Sequence, residues 1–586
     1  MKKLLYFAMA LGLVACQAEK VDVNGGANEV ETNYLSVRIK TANLGTRAEG
    51  DYTANGGQYV DGTAAENAVG KVRFYFFDAE ENAAVVKYDD AGNKSYYDWD
   101  AKGSGTDHTN SVEKILDAVV VINTKDKDEI PASIVAVLNP ELVGQTLPNQ
   151  PTLAELNKIV QDFSLTTALA DLSDESNSFL MTNSVYANGT TKVEAVDIAG
   201  HTYSTEAAAL LNPVVIYVER VLAKVSMTTS LQAVEGLANT YDTQKTVGEG
   251  ENAKKIYVEF LGWNTTATAD KSNMMKDINA SWAEDLMGTE PWTWTDHRSF
   301  WAINPATMNV VYGPFRKPEK GEAANVADAL KVGIDVSYPQ ENAAKDNTGA
   351  TTTTPTQVII AARLVDEEGK AFEVAEYAGK LYAGTEDVRQ LIADAANIYK
   401  HSTTQNNDGT QQEYVKIEPV DLTFVTATEA AGENKKPEDL AKENTPRYVV
   451  YFVIDEKNVE GPLYKSTGDT DDEGNPVFEA YKDIAAVNAE LKTLGSAKVW
   501  AEGNTYYYFD IRHLGTVAGG AGYYGVVRNH VYRTNVNSLI GLGTPVYNPD
   551  EVIIPEKPQN DDTVIAAQIE ILSWRIVAND YGLNWE

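Results

Sequence analysis

The 586 residues contain one cysteine, and its setting defines its chemistry. Met1-Lys2-Lys3 is a basic start, Leu4–Val14 is an apolar run too short for a stable spanning helix, and Leu13-Val14-Ala15-Cys16 closes it. That tetrapeptide has the pattern of a lipobox, in which the cysteine is acylated and becomes the first residue of the exported chain. Several acyl chains on one residue give stable membrane anchoring. With Cys16 as the only thiol, no disulfide can form within the chain, even in an oxidising compartment. Arg47 is the second reactive position. Set between Gly45-Thr46 and Ala48, it offers the Arg47–Ala48 bond to an Arg-specific protease from an exposed loop. Arg38 and Arg73 compete with it, but both fall in predicted strands, where a paired backbone is protected.

Other constellations are weaker. Gly520-Ala521-Gly522-Tyr523-Tyr524-Gly525 matches GxGxxG, but a dinucleotide site needs that loop to open a helix, and a strand is predicted to follow it. Asp469–Gly474 begins like an EF-hand loop, yet position twelve is Ala480, and Glu479 stands one residue early. An acidic hairpin tip accounts for it, with a weak calcium site of another kind as the alternative. His108, His201, His297, His401, His513 and His530 show no HExxH or HxH spacing, although His513 and His530 flank a hairpin-like region. GxSxG and P-loop motifs are absent, and nothing among 85 acidic residues selects a carboxylate pair. No cofactor, metal site or catalytic residue is expected. The net charge, 49 − 85 = −36, argues against a phosphate-binding surface and with it a nucleic-acid partner.

The elements around these positions read as strands. In Tyr34–Ala48, Leu35, Val37 and Ile39 alternate with Ser36, Arg38 and Lys40, so one face is apolar and the other polar. The tether before it, residues 17 to 33, is polar and rich in Gly and Asn. Further strands are predicted at Lys71–Phe77, Val112–Asn123, Ser133–Leu138, Ser178–Val185 and Val214–Val225, with short helices in Leu153–Asp171. A second series covers Lys255–Leu261, Val332–Val336, Gln357–Leu364, Arg447–Val453, Lys498–Ile511 and Val526–Val536. Many short strands with few helices point to a mainly β chain of antiparallel sandwiches. Heavy use of tyrosine, 31 Tyr against 14 Phe, suits half-buried sheet surfaces. Thr563–Ala578 is a long terminal strand whose apolar row (Ile565, Ala567, Ile569, Ile571) changes parity to Leu572, Trp574 and Ile576. Such a strand is an edge hazard unless something pairs with it.

Several segments resemble the fimbrillins of Bacteroidales, the subunits of type V pili, most closely the Mfa-type branch. They are Ile134–Pro140 (IVAVLNP), Phe179–Tyr186 (FLMTNSVY), Val218–Val225 (VERVLAKV), His297–Ala302 (HRSFWA), Gly525–Tyr532 (GVVRNHVY, running on to Gly543 and Pro545) and Ile571–Asp580 (ILSWRIVAND). The resemblance implies two transthyretin-like β-sandwich domains with short helices in loops. The expected division is a signal peptide at 1–16, a propeptide with the removable first strand at 17–47, an N-terminal domain at 48–215 and a C-terminal domain at 216–586 ending in a donor strand at 563–578.

It also implies a function. The precursor is a lipoprotein routed through the periplasm to the outer membrane, lipidated at Cys16. Cleavage after Arg47 releases the strand carrying Leu35, Val37 and Ile39. A neighbour's C-terminal strand then fills the vacated groove, with Ile565, Ile569, Ile571, Leu572, Trp574 and Ile576 as candidate donor side chains. Burying about seven such side chains gains on the order of 10–20 kcal/mol before ordering costs. The implied partners are further copies of the chain, accessory anchor and tip fimbrillins, the protease, and host or bacterial surface receptors. A shaft subunit needs both a cleavable first strand and a complete last one. The alternative is a surface lipoprotein that binds glycans or proteins through aromatics such as Trp292, Trp294 and Trp301, without polymerising.

Overall fold

A computed structural model describes residues 31–41, 65–88, 92–101, 106–107, 114–124, 130–162, 179–188, 191–248, 253–278, 299, 301–313, 330–343, 354–402, 414–432, 435, 439–440, 446–513, 524–547, 553–555, 564–573 and 576–577. The chain is mainly β, with short helices between strands.

Alternating and continuous apolar runs form strands here for different reasons. Lys71–Phe77 and Ser133–Leu138 are buried on both faces, so they read as unbroken hydrophobic stretches, and both match their predicted limits. They pair antiparallel in a nine-stranded sheet. The first strand, β1 (Glu31–Thr41), lies inside this sheet. Its neighbours are β2 (Lys114–Thr124) and, beyond the short helix α1 (Glu206–Leu211), β3 (Val214–Arg220). The β1–β2 pairing is antiparallel, whereas β1–β3 is parallel, so the sheet is not wholly antiparallel as expected.

The predicted strand Val214–Val225 is two strands. β3 stays in the nine-stranded sheet, and β4 (Lys224–Thr229) joins a five-stranded sheet. The crossing, Val221–Ala223, is fully buried and hydrogen-bonded to both sides: the Val221 amide donates to Leu180 and the Ala223 amide to Pro339. The expected domain limit at 215/216 therefore falls within a strand, and the chain leaves the first sheet only after Arg220.

β4 runs parallel to β5 (His530–Ile540), and β6 (Val564–Ser573) pairs antiparallel along the whole of β5. A bulge at Asn537 accommodates the register change, between Val536 and Ser538. The terminal row does not continue straight. β7 (Ile576–Val577) turns back on β6, pairing Leu572 with Ile576 and Ile571 with Val577. A second five-stranded sheet contains Lys254–Thr266, Gln357–Val365 and Asn504–Asp510. The expected strand Val332–Val336 shrinks to Val336–Ser337, because residues 332–334 form a turn in which Gly333 has φ +77°.

Candidate functional site: the seat of the first strand

β1 occupies an interior position of its sheet. Toward β2 its backbone pairs from Glu31↔Thr124 to Lys40↔Ile115; toward β3 it pairs from Val37↔Val214 to Thr41↔Val218. Leu35, Val37 and Ile39 are 0%, 0% and 1% exposed and sit in the apolar core. Their cross-strand partners are Val120, Ala118 and Leu116 on one side, with Val214 and Ile216 opposite Val37 and Ile39 on the other. Each is also buried. The three residues named from alternation alone therefore share one core-facing row.

On the opposite face, Arg38 pairs with Asp117 at 2.7 Å, both side chains close to half exposed. Thr32 Oγ1 donates to Asn123 Oδ1 at 3.2 Å. Such surface contacts contribute little, so the core row holds the strand. Arg38 is paired on both backbone edges, and Arg73 likewise, between Asp98 and Val137. Cys16, Arg47 and Ala48 lie outside the described residues, as do Trp574 and the side chains of the other donor candidates. The backbones of Ile565, Ile569, Ile571 and Leu572 belong to β6, and that of Ile576 to β7.

A contact not foreseen from sequence completes the seat. Tyr203 makes an antiparallel bridge to Tyr34: the Tyr34 amide donates to Tyr203 at 2.7 Å, and the Tyr203 amide returns at 2.9 Å. The bridge joins residues far apart in sequence, so local pattern carried no sign of it.

The chain from residue 65 onward is pinned separately. Glu66 is fully buried and meets Lys224 Nζ at 2.6 Å, while the Tyr338 hydroxyl donates to it. Arg220 Nε donates to the Glu66 carbonyl at 2.9 Å and Arg220 also reaches Asn67 and Asn529. Burial pushes the Glu66 carboxyl up, but Lys224, Arg220 and the hydrogen bonds outweigh it and hold it below its ordinary value. Burial and the Glu66 charge push the Tyr338 hydroxyl well up. Glu66 stands 66 − 48 = 18 residues after Ala48, so it fastens the region following the expected cut to the β3–β4 crossing.

Several described residues of the resembling motifs act as structural staples. Asn139, held at φ +54°, accepts from the Gly70 amide at 2.8 Å and donates to the Ala68 and Phe179 carbonyls. Asn183 accepts from the Ala136 amide at 2.8 Å. Arg528 is fully buried; it pairs with Glu341 at 3.0 Å and donates to the Met274 carbonyl at 2.9 Å. Gly525 has φ +131°, and a Cβ there would meet the Asn342 carbonyl oxygen at 2.9 Å, so only glycine fits. Of these, the Asn139-Pro140 turn dipeptide and the glycine-rich run ending at Gly525 carried a local signal.

The weaker chemistries resolve in the same direction. His513 and His530 do come together, with ring centroids 5.2 Å apart, but in a buried cluster where His513 Nδ1 meets the Tyr532 hydroxyl at 2.9 Å. Among the described residues no three His, Cys, Asp or Glu side chains gather in a way that could hold a metal. Asp471 Oδ1 accepts from the Glu473 and Asn475 amides at 2.9 and 2.8 Å. Those hydrogen bonds, Asn475's first, lower its carboxyl below the ordinary value. Asp78 and Asp366 cap two other turns in the same manner. The EF-hand-like stretch is thus one of three such Asp-capped turns among the described residues. The segment after Gly525 enters β5 and opens no helix, so the dinucleotide geometry is missing. Trp301 is buried, and Trp292 and Trp294 lie outside the described residues.

Residues 498–580 match the family model described as "Major fimbrial subunit protein type IV, Fimbrillin, C-terminal". Over these residues the chain is similar to the C-terminal part of fimbrillins, the family that its sequence motifs resemble. Among solved structures it is similar to a fimbrilin (FimA) from Porphyromonas gingivalis, at 13% identity and a TM-score of 0.34, covering 94% of this chain and 100% of that one. The tip fimbrial protein Mfa3 from the same organism, in a C-terminally truncated form, follows at 11% identity and 0.31, covering 93% and 100%. Superpositions this loose do not define the fold; the strand registers do. No curated protein matches the sequence.

Proposed function

We propose that the chain is a shaft subunit of a type V fimbrium, polymerised by strand replacement and serving adhesion and biofilm formation. One observation carries this reading: the strand expected to be removable fills an interior slot of its sheet, with Leu35, Val37 and Ile39 in the core. Its loss leaves two facing edges, Ile115–Thr124 and Val214–Val218, with unpaired amides and carbonyls above an apolar floor. Only another apolar strand satisfies both. In this reading Cys16 carries the lipid, the Arg47–Ala48 bond is cut, and the donor comes from the terminal segment containing Ile565, Ile569, Ile571, Leu572, Trp574 and Ile576. The N-terminal domain runs from residue 48 to the crossing at 221–223, and the C-terminal domain follows. The partners are other copies, accessory fimbrillins at base and tip, an Arg-specific protease and surface receptors. The precursor is an outer-membrane lipoprotein, and the mature subunit is extracellular.

The test is direct. The precursor is treated with an Arg-specific protease, its new N-terminus sequenced, and the product examined for SDS-resistant ladders. Ladders beginning at Ala48, absent in Arg47→Ala, are expected. Clean cleavage at Arg47 that leaves a monomer overturns the reading. Deletion from Trp574 onward is expected to abolish the ladder while the subunit stays folded.

A further inference from the structure

We infer that replacement of β1 begins at the Tyr203 end of its seat, where Leu210 and Leu211 form the landing contact for the apolar terminal strand of a second copy. The inference rests on the strand-replacement reading and adds a starting point and a docking surface to it.

The two edges of β1 are held unequally. Toward β2 every position from Glu31 to Lys40 is paired, whereas the ladder to β3 begins only at Val37. Upstream of Val37, the Tyr34–Tyr203 bridge ties that side among the described residues. Breaking both ladders at once costs far more than opening one end and advancing along the slot, so exchange starts where the pairing is thinnest. That end is the N-terminal half of β1.

α1 lies beside this half and packs against β1. Ala209 is fully buried yet outside the apolar core, and Ser36, on the polar face of β1, is only 2% exposed. Both burials are met if α1 lies across the outer face of the strand. Its last two residues then point elsewhere: Leu210 is 45% exposed and Leu211 is 82% exposed. Two adjacent leucines left in water beside the weak end of the slot gain from any apolar cover.

The occupant is argued by chemistry. The tether leading into β1, residues 17 to 29 (QAEKVDVNGGANE), is polar and offers a poor match. The terminal segment of another copy offers Ile565, Ile569, Ile571, Leu572, Trp574 and Ile576. Both copies are strongly acidic, each with a net charge of −36, so long-range electrostatics opposes their encounter. A short-range apolar contact is then needed to hold the incoming strand long enough for it to enter.

The experiment compares the full-length precursor with its Leu210→Ser/Leu211→Ser variant after Arg-specific cleavage. The variant is expected to be cleaved as fast and to melt at the same temperature, but to form SDS-resistant ladders at least about tenfold more slowly. A synthetic peptide of residues 563–578 is expected to inhibit wild-type ladders and to crosslink to a photoreactive group at position 211. Equal ladder rates in wild type and variant overturn the landing contact while leaving strand replacement standing. Crosslinking at 211 to residues of the tether, with no capture of the peptide, overturns it as well. Cleaved wild type that forms no ladder at all overturns the strand-replacement reading, and the landing contact with it. Should the double variant melt lower, Leu211→Ser alone, at the more exposed position, carries the same comparison.

Discussion

The first and the last described long strands have similar apolar alternation but different seats. β1 is interior, paired on both sides, with its core row sealed. Among the described residues, β6 is paired fully on one side, to β5, and on the other only by the two residues of β7. Sequence pattern determines that each is a strand; the number of neighbours determines how hard each is to remove. An interior strand protects two edges and an apolar floor, whereas a strand near the sheet margin protects one edge. On the proposed reading, moving a terminal strand from a marginal seat at home to an interior slot in a neighbour exchanges one complete ladder for two. On the same reading, that asymmetry gives polymerisation its direction.

The comparison breaks most sharply under buried charge. Val37→Asp places a carboxylate in a fully buried position with no partner, at a cost of about 4 kcal/mol or more. The precursor is expected to be lost from the soluble fraction or to melt far lower. Ile569→Asp, in the marginal strand, is expected to lower the melting temperature by clearly less. Equal losses would show that the two seats are held alike.

The joint between the two regions comes next. Glu66 has its carboxyl held below its ordinary value of 4.5 by Lys224 and Arg220, against burial. A group depressed on folding contributes stability that is complete above its ordinary value and is lost as pH falls through the depressed one. The precursor is therefore expected to lose melting temperature as pH falls below about 4.5, and Glu66→Gln to flatten that limb. Near neutral pH, Glu66→Gln is expected to cost about 3 kcal/mol, because a buried ion pair with Lys224 at 2.6 Å loses its charged carboxylate. An unchanged acid limb in the variant would remove Glu66 from the joint.

Much of this architecture was legible, and what was not shares one cause. Lys71–Phe77 and Ser133–Leu138 show themselves through unbroken apolar runs, and β1 through its alternation, because burial writes directly into local pattern. The core role of Leu35, Val37 and Ile39 follows from parity alone. Tyr203, Glu66 and the parallel pairings do not, since each depends on a partner far away in the chain. The division of Val214–Val225 was hidden for a related reason. Val221–Ala223 is as apolar as its flanks, and only the arrangement of two sheets makes the chain change layers there. The return of β7 onto β6 shows in the sequence only as a change of parity, a pattern that one bulged strand and a reversal both produce.

A smaller effect sharpens the account of the last strand's seat. Gly525 leads toward β5, on which β6 rests; it lies at φ +131°, and a Cβ at this position would stand 2.9 Å from the Asn342 carbonyl oxygen. Gly525→Ala is expected to cost about 1–3 kcal/mol through backbone strain and that close contact. Differential scanning calorimetry of the precursor checks it. A neutral result would mean that Asn342 gives way and that the glycine is not required.

The smallest effect concerns the outer face of β1. The Arg38–Asp117 pair has good geometry at 2.7 Å, but both side chains are close to half exposed, so solvent screening removes most of its energy. Arg38→Ala is expected to change precursor stability by no more than about 0.5 kcal/mol, measured by denaturant titration. It is also expected to leave proteolysis at Arg47 unchanged, because Arg38 is shielded by two-sided backbone pairing rather than by its ion pair. A large loss on Arg38→Ala would mean that the outer face, and not the Leu35-Val37-Ile39 row, holds the strand in place. The slot would then be open to any strand carrying an arginine at that position, and apolar complementarity would no longer decide what fills it.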